Sequence, residues 1–309
     1  MGHYRVAVNL ELTSKCNARC IMCPREAVLH PRAMRLDTLR QAVERLSPRD
    51  VFRTVIAGYG EPTTHPQFEA CMQIISQAAV PMDMVSNGQL LDRERLRLID
   101  GVVNTLIISF SSIAPQVYAA VHRNLDQKQV MDNIILARQL LKSTRLAISL
   151  TPLSSCIETL PQTINWLREQ GVDSLTMSPS LYDRAGSLDD ASGQESSLRK
   201  IIKQYGLRSQ ELDFVPSLRE LYLQWRCNRF KCIPRNTDLV IAADGSYQYC
   251  FNDMGHTHPL GHLSEMDIRT VLKVREGTVE NPELCGSCSI RNRYRPAEFA
   301  RAVYGYLRS

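Results

Sequence analysis

Apolar residues along the first part of the chain follow two alternating patterns. Short and nearly continuous apolar runs, typical of buried parallel strands, lie near residues 6–12, 54–57, 81–85, 105–110, 145–150 and 174–177. Between these runs, apolar residues recur every three or four positions, as on one face of a helix, at residues 36–46, 68–78, 91–99, 130–142 and 160–170. Gly171 follows the last of these stretches and predicts its end. The alternation predicts six βα units.

Parallel strands joined by crossover helices form an α/β fold. Six units are too few to close an eight-stranded barrel, so the sequence predicts a partial (β/α)6 barrel. Ligands of such folds bind at the carboxyl ends of the strands. Each loop that follows a predicted strand is therefore a candidate for chemistry.

The alternation stops after residue 177, and a smaller unit is predicted beyond it. Residues 178–195 are rich in Ser, Asp and Gly and predict a loop, and two helical patterns follow near 198–205 and 217–225. Strand-like segments on either side of Asp244-Gly245 then predict a hairpin. We place the barrel at residues 1–205 and a small C-terminal β-hairpin/helix domain at residues 206–309.

Composition narrows the classes of protein that this chain can be. Its 309 residues are enough for a large and a small domain, and no apolar run approaches the 18 residues of a membrane span. The chain enters its first strand without a secretion signal, which predicts a cytoplasmic protein. The net charge of +5 is modest and scattered, so nucleic-acid binding gains no support.

Cysteine usage points to metal or redox chemistry. The chain has 10 cysteines and no export signal, which argues against a disulfide framework. Cys16, Cys20 and Cys23 follow the first strand with the spacing C-x3-C-x2-C. Three thiolates at one point leave the fourth iron of a [4Fe–4S] cluster open to a further ligand. A zinc site or unrelated core cysteines are the alternatives, although no fourth ligand lies nearby in the sequence.

This cysteine loop resembles that of the radical S-adenosylmethionine (SAM) superfamily. The resemblance implies that the amino and carboxylate groups of SAM chelate the open iron. It further implies that an electron from the cluster splits SAM into methionine and a 5′-deoxyadenosyl radical, which abstracts a hydrogen atom from the substrate. A reductant such as flavodoxin or ferredoxin is then an expected partner, together with a small-molecule or peptide substrate.

Loops after the later strands carry further parts of the resemblance. Gly58, Gly60 and Glu61 resemble the family's GGEP motif, whose backbone and glutamate hold the SAM amino group, although Tyr59 separates the glycines here. The third strand ends in a turn similar to the family's T-N-G. Asn87 in this turn and Ser109 at the end of the fourth strand are candidates for hydrogen bonds to the SAM ribose and carboxylate, or for helix caps.

The segment after the fourth strand also looks like that of many relatives. Its residues 118–124 read YAAVHRN, and Arg123 is a candidate for contact with a carboxylate. A solvated arginine is the alternative interpretation.

A second set of cysteines lies in the predicted C-terminal domain. Two of them flank the hairpin and two form a C-x2-C knuckle, and such a set can bind either zinc or a [4Fe–4S] cluster. The arrangement resembles the SPASM/twitch auxiliary-cluster domain, in its twitch form with a single cluster. The resemblance implies that the ligands are Cys232, Cys250, Cys285 and Cys288.

Three further cysteines have no place in either cluster. Cys227 is a candidate hydrogen-atom donor to a substrate radical, or an alternative ligand in place of Cys232. Cys71 and Cys156 compete with it for the first role. Free cysteines are more often inert residues of a protein core.

The expected function is that of a radical SAM oxidoreductase or epimerase with SAM and two [4Fe–4S] clusters. The short chain favours dehydrogenation or epimerisation of a sugar or aminocyclitol in natural-product biosynthesis. Crosslinking or epimerisation of a ribosomal peptide is the alternative. A zinc-stabilised binding protein without enzymatic activity is a more remote alternative.

Overall fold

The computed structural model describes residues 3–23, 27–151, 153–178, 195–209, 217–286, 288, 300 and 304. The predicted loop at 178–195 lies almost wholly outside the described residues. Among the described residues, ten strands form one open sheet.

All six strands predicted for the barrel are present, and neighbouring strands in the chain pair in parallel. They are β1 (Val6–Leu10), β2 (Val51–Ile56), β3 (Met82–Ser86), β4 (Thr105–Ser109), β5 (Arg145–Leu150) and β6 (Ser174–Met177). A two-residue strand, β7 (Arg208–Ser209), extends this edge of the sheet in parallel with β6. The prediction of a partial α/β barrel is therefore confirmed.

The helices of the barrel cover one face of the sheet. They are α1 (Leu36–Arg45), α2 (Phe68–Ile75), α3 (Arg93–Ile99), α4 (Pro115–Val121), α5 (Gln127–Leu140), α6 (Ser154–Ile157) and α7 (Leu160–Glu169). The five predicted helices are confirmed, and Gly171 ends the last of them in the left-handed region with φ +70°. The short helices α4 and α6 were not predicted. The four residues of α6 show no helical period, and the exposed positions of α4 include Ala119 and Ala120, so its two faces differ little in polarity.

Side-chain caps and apolar stripes explain why these helices form. In α1, Leu39, Ala42 and Val43 lie on one face and are buried. Asp92 and Asp126 precede α3 and α5, and each accepts a hydrogen bond from a backbone N–H in the first turn.

The C-terminal part of the chain continues the same sheet. Its elements are α8 (Glu195–Tyr205), α9 (Leu218–Cys227), α10 (Ile233–Thr237), β8 (Asp238–Ile241), β9 (Ser246–Gln248), β10 (Pro259–His262), α11 (Ile268–Gly277) and α12 (Pro282–Cys285). The predicted hairpin is present, since β8 and β9 are antiparallel and Gly245 has φ +92° in the turn. Strand β8 also pairs in parallel with β1.

The pairing of β8 with β1 has a physical reason. Strand β1 would otherwise present an unpaired edge at the start of the barrel, and all four residues of β8 are buried against it. The strand order is consequently β10-β9-β8-β1-β2-β3-β4-β5-β6-β7. The sheet thus includes strands from both sides of residue 205. The domain boundary at that residue stays a prediction.

The apolar core extends from the first strand to the C-terminal helices. One cluster of buried side chains includes Val8 of β1, Ile148 of β5 and Leu272 of α11. Among the described residues, no helix has the length and apolar character needed to cross a membrane.

Candidate functional site

The three N-terminal cysteines lie in the loop after β1, at the carboxyl ends of the barrel strands. Cys16, Cys20 and Cys23 are all half-buried and line one cavity of about 290 Å³. The backbone N–H groups of two loop residues donate to carbonyls at the end of α4, Arg19 to Arg123 at 2.9 Å and Ile21 to Val121 at 3.0 Å. The end of α4 therefore fixes the cysteine loop.

Two of these cysteines have nitrogen groups close to their sulfur atoms. The backbone N–H of Ala18 donates to Cys16 Sγ at 3.4 Å, and Cys20 Sγ lies 3.3 Å from Nδ1 of His122. His122 is buried, and burial lowers the pKa of its imidazole to about 4. N–H groups directed at sulfur stabilise thiolates that bind iron.

The donor set fits an iron–sulfur cluster better than a single ion. Within the part of the chain that the structure describes, no three or more His, Cys, Asp and Glu side chains converge as a single metal ion requires. A cluster spreads its ligands over several iron atoms, so three cysteines around one cavity suit it.

The loop after β2 packs directly on the segment that leads to Cys16. A Cβ atom on Gly60 would lie 2.0 Å from the carbonyl oxygen of Thr13, and one on Gly58 would lie 2.5 Å from Cγ of Glu11. Both glycines line the cavity. Their lack of a side chain is thus required by contacts within the chain, not only by approach of the backbone to a ligand.

Glu61 joins the loops after β2 and β3. Its Oε1 accepts hydrogen bonds from the Thr63 hydroxyl at 2.6 Å and the Ser86 hydroxyl at 2.8 Å. Its Oε2 accepts from the Asn87 backbone N–H at 2.7 Å. Burial raises the pKa of this carboxyl. The residue lines the cavity, and groups of the chain already contact both of its oxygens.

Asn87 and Ser109 line the same cavity from the ends of β3 and β4. The Asn87 amide donates to Oδ1 of Asn17 at 2.7 Å, and its oxygen accepts from the Gln89 backbone N–H at 3.0 Å. Asn87 does not cap α3, since Asp92 does so. The cavity therefore brings together all eight predicted residues of the SAM site, which are Cys16, Cys20, Cys23, Gly58, Gly60, Glu61, Asn87 and Ser109.

The four C-terminal cysteines line a second and smaller cavity. Its volume is about 50 Å³, and its cysteines are Cys232, Cys250, Cys285 and Cys288. Burial raises the pKa of the Cys232 thiol to about 12 and also raises that of Cys250. Asn252 donates to Cys288 Sγ at 3.1 Å. All four predicted auxiliary ligands thus line the same cavity.

Arg235 is a buried cation in the wall of this second cavity. The residue is 1% exposed, and its guanidinium lies 4.1 Å from the ring centre of Tyr249. It donates to Asn236 Oδ1 at 3.2 Å and to the Thr278 hydroxyl. None of the ion pairs between described side chains includes it. A buried charge requires compensation, so the cavity suits an anionic occupant.

None of the spare cysteines is among the described residues that line the two cavities. Cys227 ends α9, and that helix packs on the amino end of β1, where Gln224 donates to the Arg5 carbonyl at 2.7 Å. The larger cavity lies at the opposite ends of the strands. The prediction that Cys227 donates a hydrogen atom therefore gains no support from its position.

Cys71 and Cys156 are both fully buried. Cys71 lies in α2 with its sulfur 3.3 Å from Nδ1 of His65, and Cys156 packs against Ile21 and Met22 of the cysteine loop. Neither is among the described residues that line the two cavities.

Sequence reasoning missed the residues that connect the barrel to the C-terminal hairpin. Glu11 is buried and accepts hydrogen bonds from the backbone N–H groups of Tyr59 at 2.9 Å and Ala243 at 3.2 Å. Tyr59 packs against Val28 and Met254. The available signal was the single carboxylate within an otherwise apolar strand region.

Sequence reasoning also missed His122 in the segment at 118–124. Arg123 is exposed, whereas His122 beside it is buried next to Cys20. A histidine in an otherwise apolar helical turn was the signal for this residue.

Comparisons with known proteins agree with this geometry. A family model described as the Radical SAM superfamily matches residues 10–166. The GTP 3′,8-cyclase of Pseudomonas entomophila (strain L48) is 32% identical over 144 residues, which cover 42% of this chain and 40% of that protein. The chain thus aligns with about two fifths of this relative's length.

Two solved structures have a similar fold. Streptococcus suis SuiB bound to the precursor peptide SuiA has a TM-score of 0.69 and 12% identity, covering 93% of this chain and 70% of that chain. BtrN in complex with AdoMet and 2-DOIA has a TM-score of 0.52 and 15% identity, covering 94% of each chain.

Proposed function

Because this chain belongs to the radical SAM superfamily, we propose that its larger cavity holds a [4Fe–4S] cluster and SAM next to a small, hydroxylated substrate. Cys16, Cys20 and Cys23 supply the three thiolate ligands. When bound and reduced, the cluster supplies the electron that splits SAM, and the 5′-deoxyadenosyl radical so formed removes a hydrogen atom from the substrate.

The residues around the cavity have distinct roles in this proposal. The backbone between Gly58 and Gly60 meets the SAM amino group, and Glu61 fixes the shape of that turn through its bonds to Ser86 and Asn87. Ser109 offers a hydroxyl group to the SAM ribose or carboxylate.

The chemistry of the cavity wall carries the proposal for the substrate. At the ends of β4, β5 and β6, the cavity is lined by four described residues with hydroxyl side chains, which are Ser109, Ser149, Thr151 and Ser178. None of the described lining residues is Lys or Arg. A triphosphate such as GTP requires cations, so a sugar or aminocyclitol suits this wall better. The similarity of fold to BtrN, over 94% of this chain, supports the same class, since that structure contains 2-DOIA.

The smaller cavity supports a second, auxiliary [4Fe–4S] cluster in a SPASM/twitch-like module. Its four cysteines offer a complete shell of sulfur ligands, and the buried Arg235 offsets the negative charge of a metal–thiolate centre. When bound, such a cluster supplies a site that accepts one electron. We therefore favour dehydrogenation of an alcohol over a redox-neutral epimerisation.

Modification of a ribosomal peptide is the second candidate function. It is favoured by the similarity of fold to SuiB, whose structure contains a precursor peptide. In either case a one-electron donor such as flavodoxin or ferredoxin is the expected partner.

Turnover with candidate substrates tests the proposal. The anaerobically reconstituted chain is incubated with SAM, a reductant and, in separate reactions, 2-DOIA, other aminocyclitols, GTP or a short peptide. We expect an aminocyclitol or sugar to raise the yield of 5′-deoxyadenosine and to give a product that has lost two hydrogen atoms. Stimulation by GTP or peptide alone would contradict the proposed substrate class.

The same reactions in D2O separate the two proposed chemistries. An epimerised product gains one solvent deuterium at carbon, whereas a dehydrogenated product gains none. A chain that binds zinc in place of iron and does not cleave SAM would show that the enzymatic proposal is wrong.

A further inference from the structure

We propose that His122 is a positioning residue that donates a hydrogen bond to the Cys20 thiolate and thereby raises the reduction potential of the SAM-binding cluster. The inference rests on the proposed role of Cys20 as a cluster ligand. It adds a residue that lies outside the cysteine motif and 102 positions further along the chain.

The imidazole of His122 is held rigidly beside the sulfur atom. Its Nδ1 lies 3.3 Å from Cys20 Sγ, and the residue is 2% exposed. The ring packs against Tyr118 with 4.8 Å between ring centres, and Tyr118 packs in turn on Phe110 at 5.3 Å. These aromatic contacts leave the ring little freedom to turn away.

The backbone of the same segment is bonded to the cysteine loop. Carbonyls on either side of His122, those of Val121 and Arg123, accept hydrogen bonds from loop N–H groups. The same hydrogen bonds therefore hold the loop and the imidazole in place relative to each other, and we expect the contact at Cys20 to persist when the loop binds its ligand.

The surroundings of the ring decide which nitrogen carries the hydrogen. Nε2 of His122 is buried and has no hydrogen-bond partner among the described residues. A hydrogen on Nε2 would leave a buried N–H group unsatisfied and would turn the lone pair of Nδ1 toward a thiolate. A hydrogen on Nδ1 avoids both penalties, so Nδ1–H is the donor and the sulfur is the acceptor.

In a second histidine–cysteine pair of the chain, the hydrogen bond runs in the opposite direction. His65 Nδ1 lies 3.3 Å from Cys71 Sγ, and its Nε2 donates to the Met34 carbonyl at 2.8 Å. The hydrogen is therefore on Nε2, and Nδ1 accepts from the Gln67 N–H at 3.1 Å and from the Cys71 thiol. The two pairs share one distance, yet only His122 can donate to sulfur.

A hydrogen bond to a ligating sulfur draws negative charge away from the cluster. The reduced cluster carries one more negative charge than the oxidised form, so the bond stabilises the reduced form more. Loss of the donor should therefore make the cluster harder to reduce.

Redox titration of the reconstituted full-length chain tests this inference. The electron paramagnetic resonance signal that changes when SAM is added identifies the cluster with the open iron, and its midpoint potential is measured without SAM. In His122→Leu, we expect the ratio of reduced to oxidised cluster at the wild-type midpoint to fall about tenfold, which is a shift of about 59 mV. His122→Asn retains an N–H donor and should keep the wild-type midpoint, as should the matched control Cys71→Ala.

Each outcome decides the matter. A wild-type midpoint in His122→Leu with full iron content overturns the inference. If His122→Leu loses the cluster, His122→Asn decides: a retained cluster with the wild-type midpoint supports the inference, and a lost cluster or a lowered midpoint overturns it. Failure of the proposed function is recognised separately, because the wild-type chain would then show no SAM-sensitive signal, or Cys20→Ala would keep it.

Discussion

At the scale of single residues, contacts within the chain limit the loop after β2 as strictly as any ligand would. Gly60 lies against the carbonyl oxygens of Thr13 and Lys15, which belong to the segment leading into the cysteine loop. Backbone atoms cannot move aside as a flexible side chain can. The identity of this one residue therefore affects the path of the chain toward Cys16.

Gly60→Ala should lower both stability and cluster content. The new methyl group would overlap backbone atoms, so we expect a loss of about 3 kcal/mol in the free energy of unfolding. Thermal unfolding and iron analysis of the reconstituted protein measure the two effects. Gly277→Ala is the matched control, since no atom lies within 4 Å of a Cβ at that position. Equal behaviour of the two variants would refute the argument.

Asp238 should make stability dependent on pH. The residue is buried at the start of β8, and burial raises the pKa of its carboxyl from 3.8 to about 8. The folded protein thus keeps a proton that the unfolded chain releases near pH 3.8. Its contribution to stability is full below that pH and is lost as the pH rises through about 8.

Asp238→Asn tests this dependence, because an amide stays neutral and can still accept a hydrogen bond from Asn9. We expect the melting temperature of the variant to exceed that of the wild type by a margin that grows as the pH rises toward about 8. A difference in melting temperature between the variant and the wild type that stays the same at every pH would argue against a raised pKa of Asp238.

At the scale of elements, the C-terminal hairpin is attached to the barrel by strand pairing. Strand β8 pairs with the edge of β1. Glu11 accepts hydrogen bonds from the backbone N–H groups of Tyr59, after β2, and Ala243, after β8. The two cavities are therefore built on one sheet, and the proposed auxiliary module has a fixed relation to β1.

Substitution of single cysteines should separate the ligands of the auxiliary cavity from the spare thiol. Two [4Fe–4S] clusters correspond to about eight iron atoms per chain, and loss of one leaves about four. We expect Cys232→Ala to lower the iron content toward four and Cys227→Ala to leave it near eight. The reverse result would assign Cys227 as the ligand. An iron content of about four atoms in the wild-type chain would show that the auxiliary cluster does not form.

At the scale of the whole molecule, ligand binding and stability should depend on one another. A ligand that binds only the folded state stabilises it by about 2.7 kcal/mol at a concentration of 100 times its Kd. SAM requires the open iron, so it should raise the melting temperature of the reconstituted protein. SAM should not change the melting temperature of the Cys16→Ala variant. Equal stabilisation of both would show that SAM binds without the cluster.

Much of the barrel was predictable because its signals are local. The six strands and five longer helices each carry their own apolar period. Helix α6 was missed because four residues show no period, and α4 was missed because the alanines among its exposed positions leave little contrast between its faces. The position of α4 nevertheless matters, since its end fixes the cysteine loop.

The sequence by itself determined which candidate donor atoms this protein carries and where they lie along the chain. Closely spaced cysteines, a glycine-rich turn and polar residues at strand ends are short-range patterns, and the carboxyl ends of parallel strands necessarily meet at one edge of a sheet. Only the tertiary structure decided which distant residues surround them. The contact of His122 with Cys20, the position of Arg235 in the auxiliary cavity and the pairing of β8 with β1 all depend on packing between separate elements. No local period encodes such packing, because it follows from the mutual burial of surfaces that are far apart in the chain.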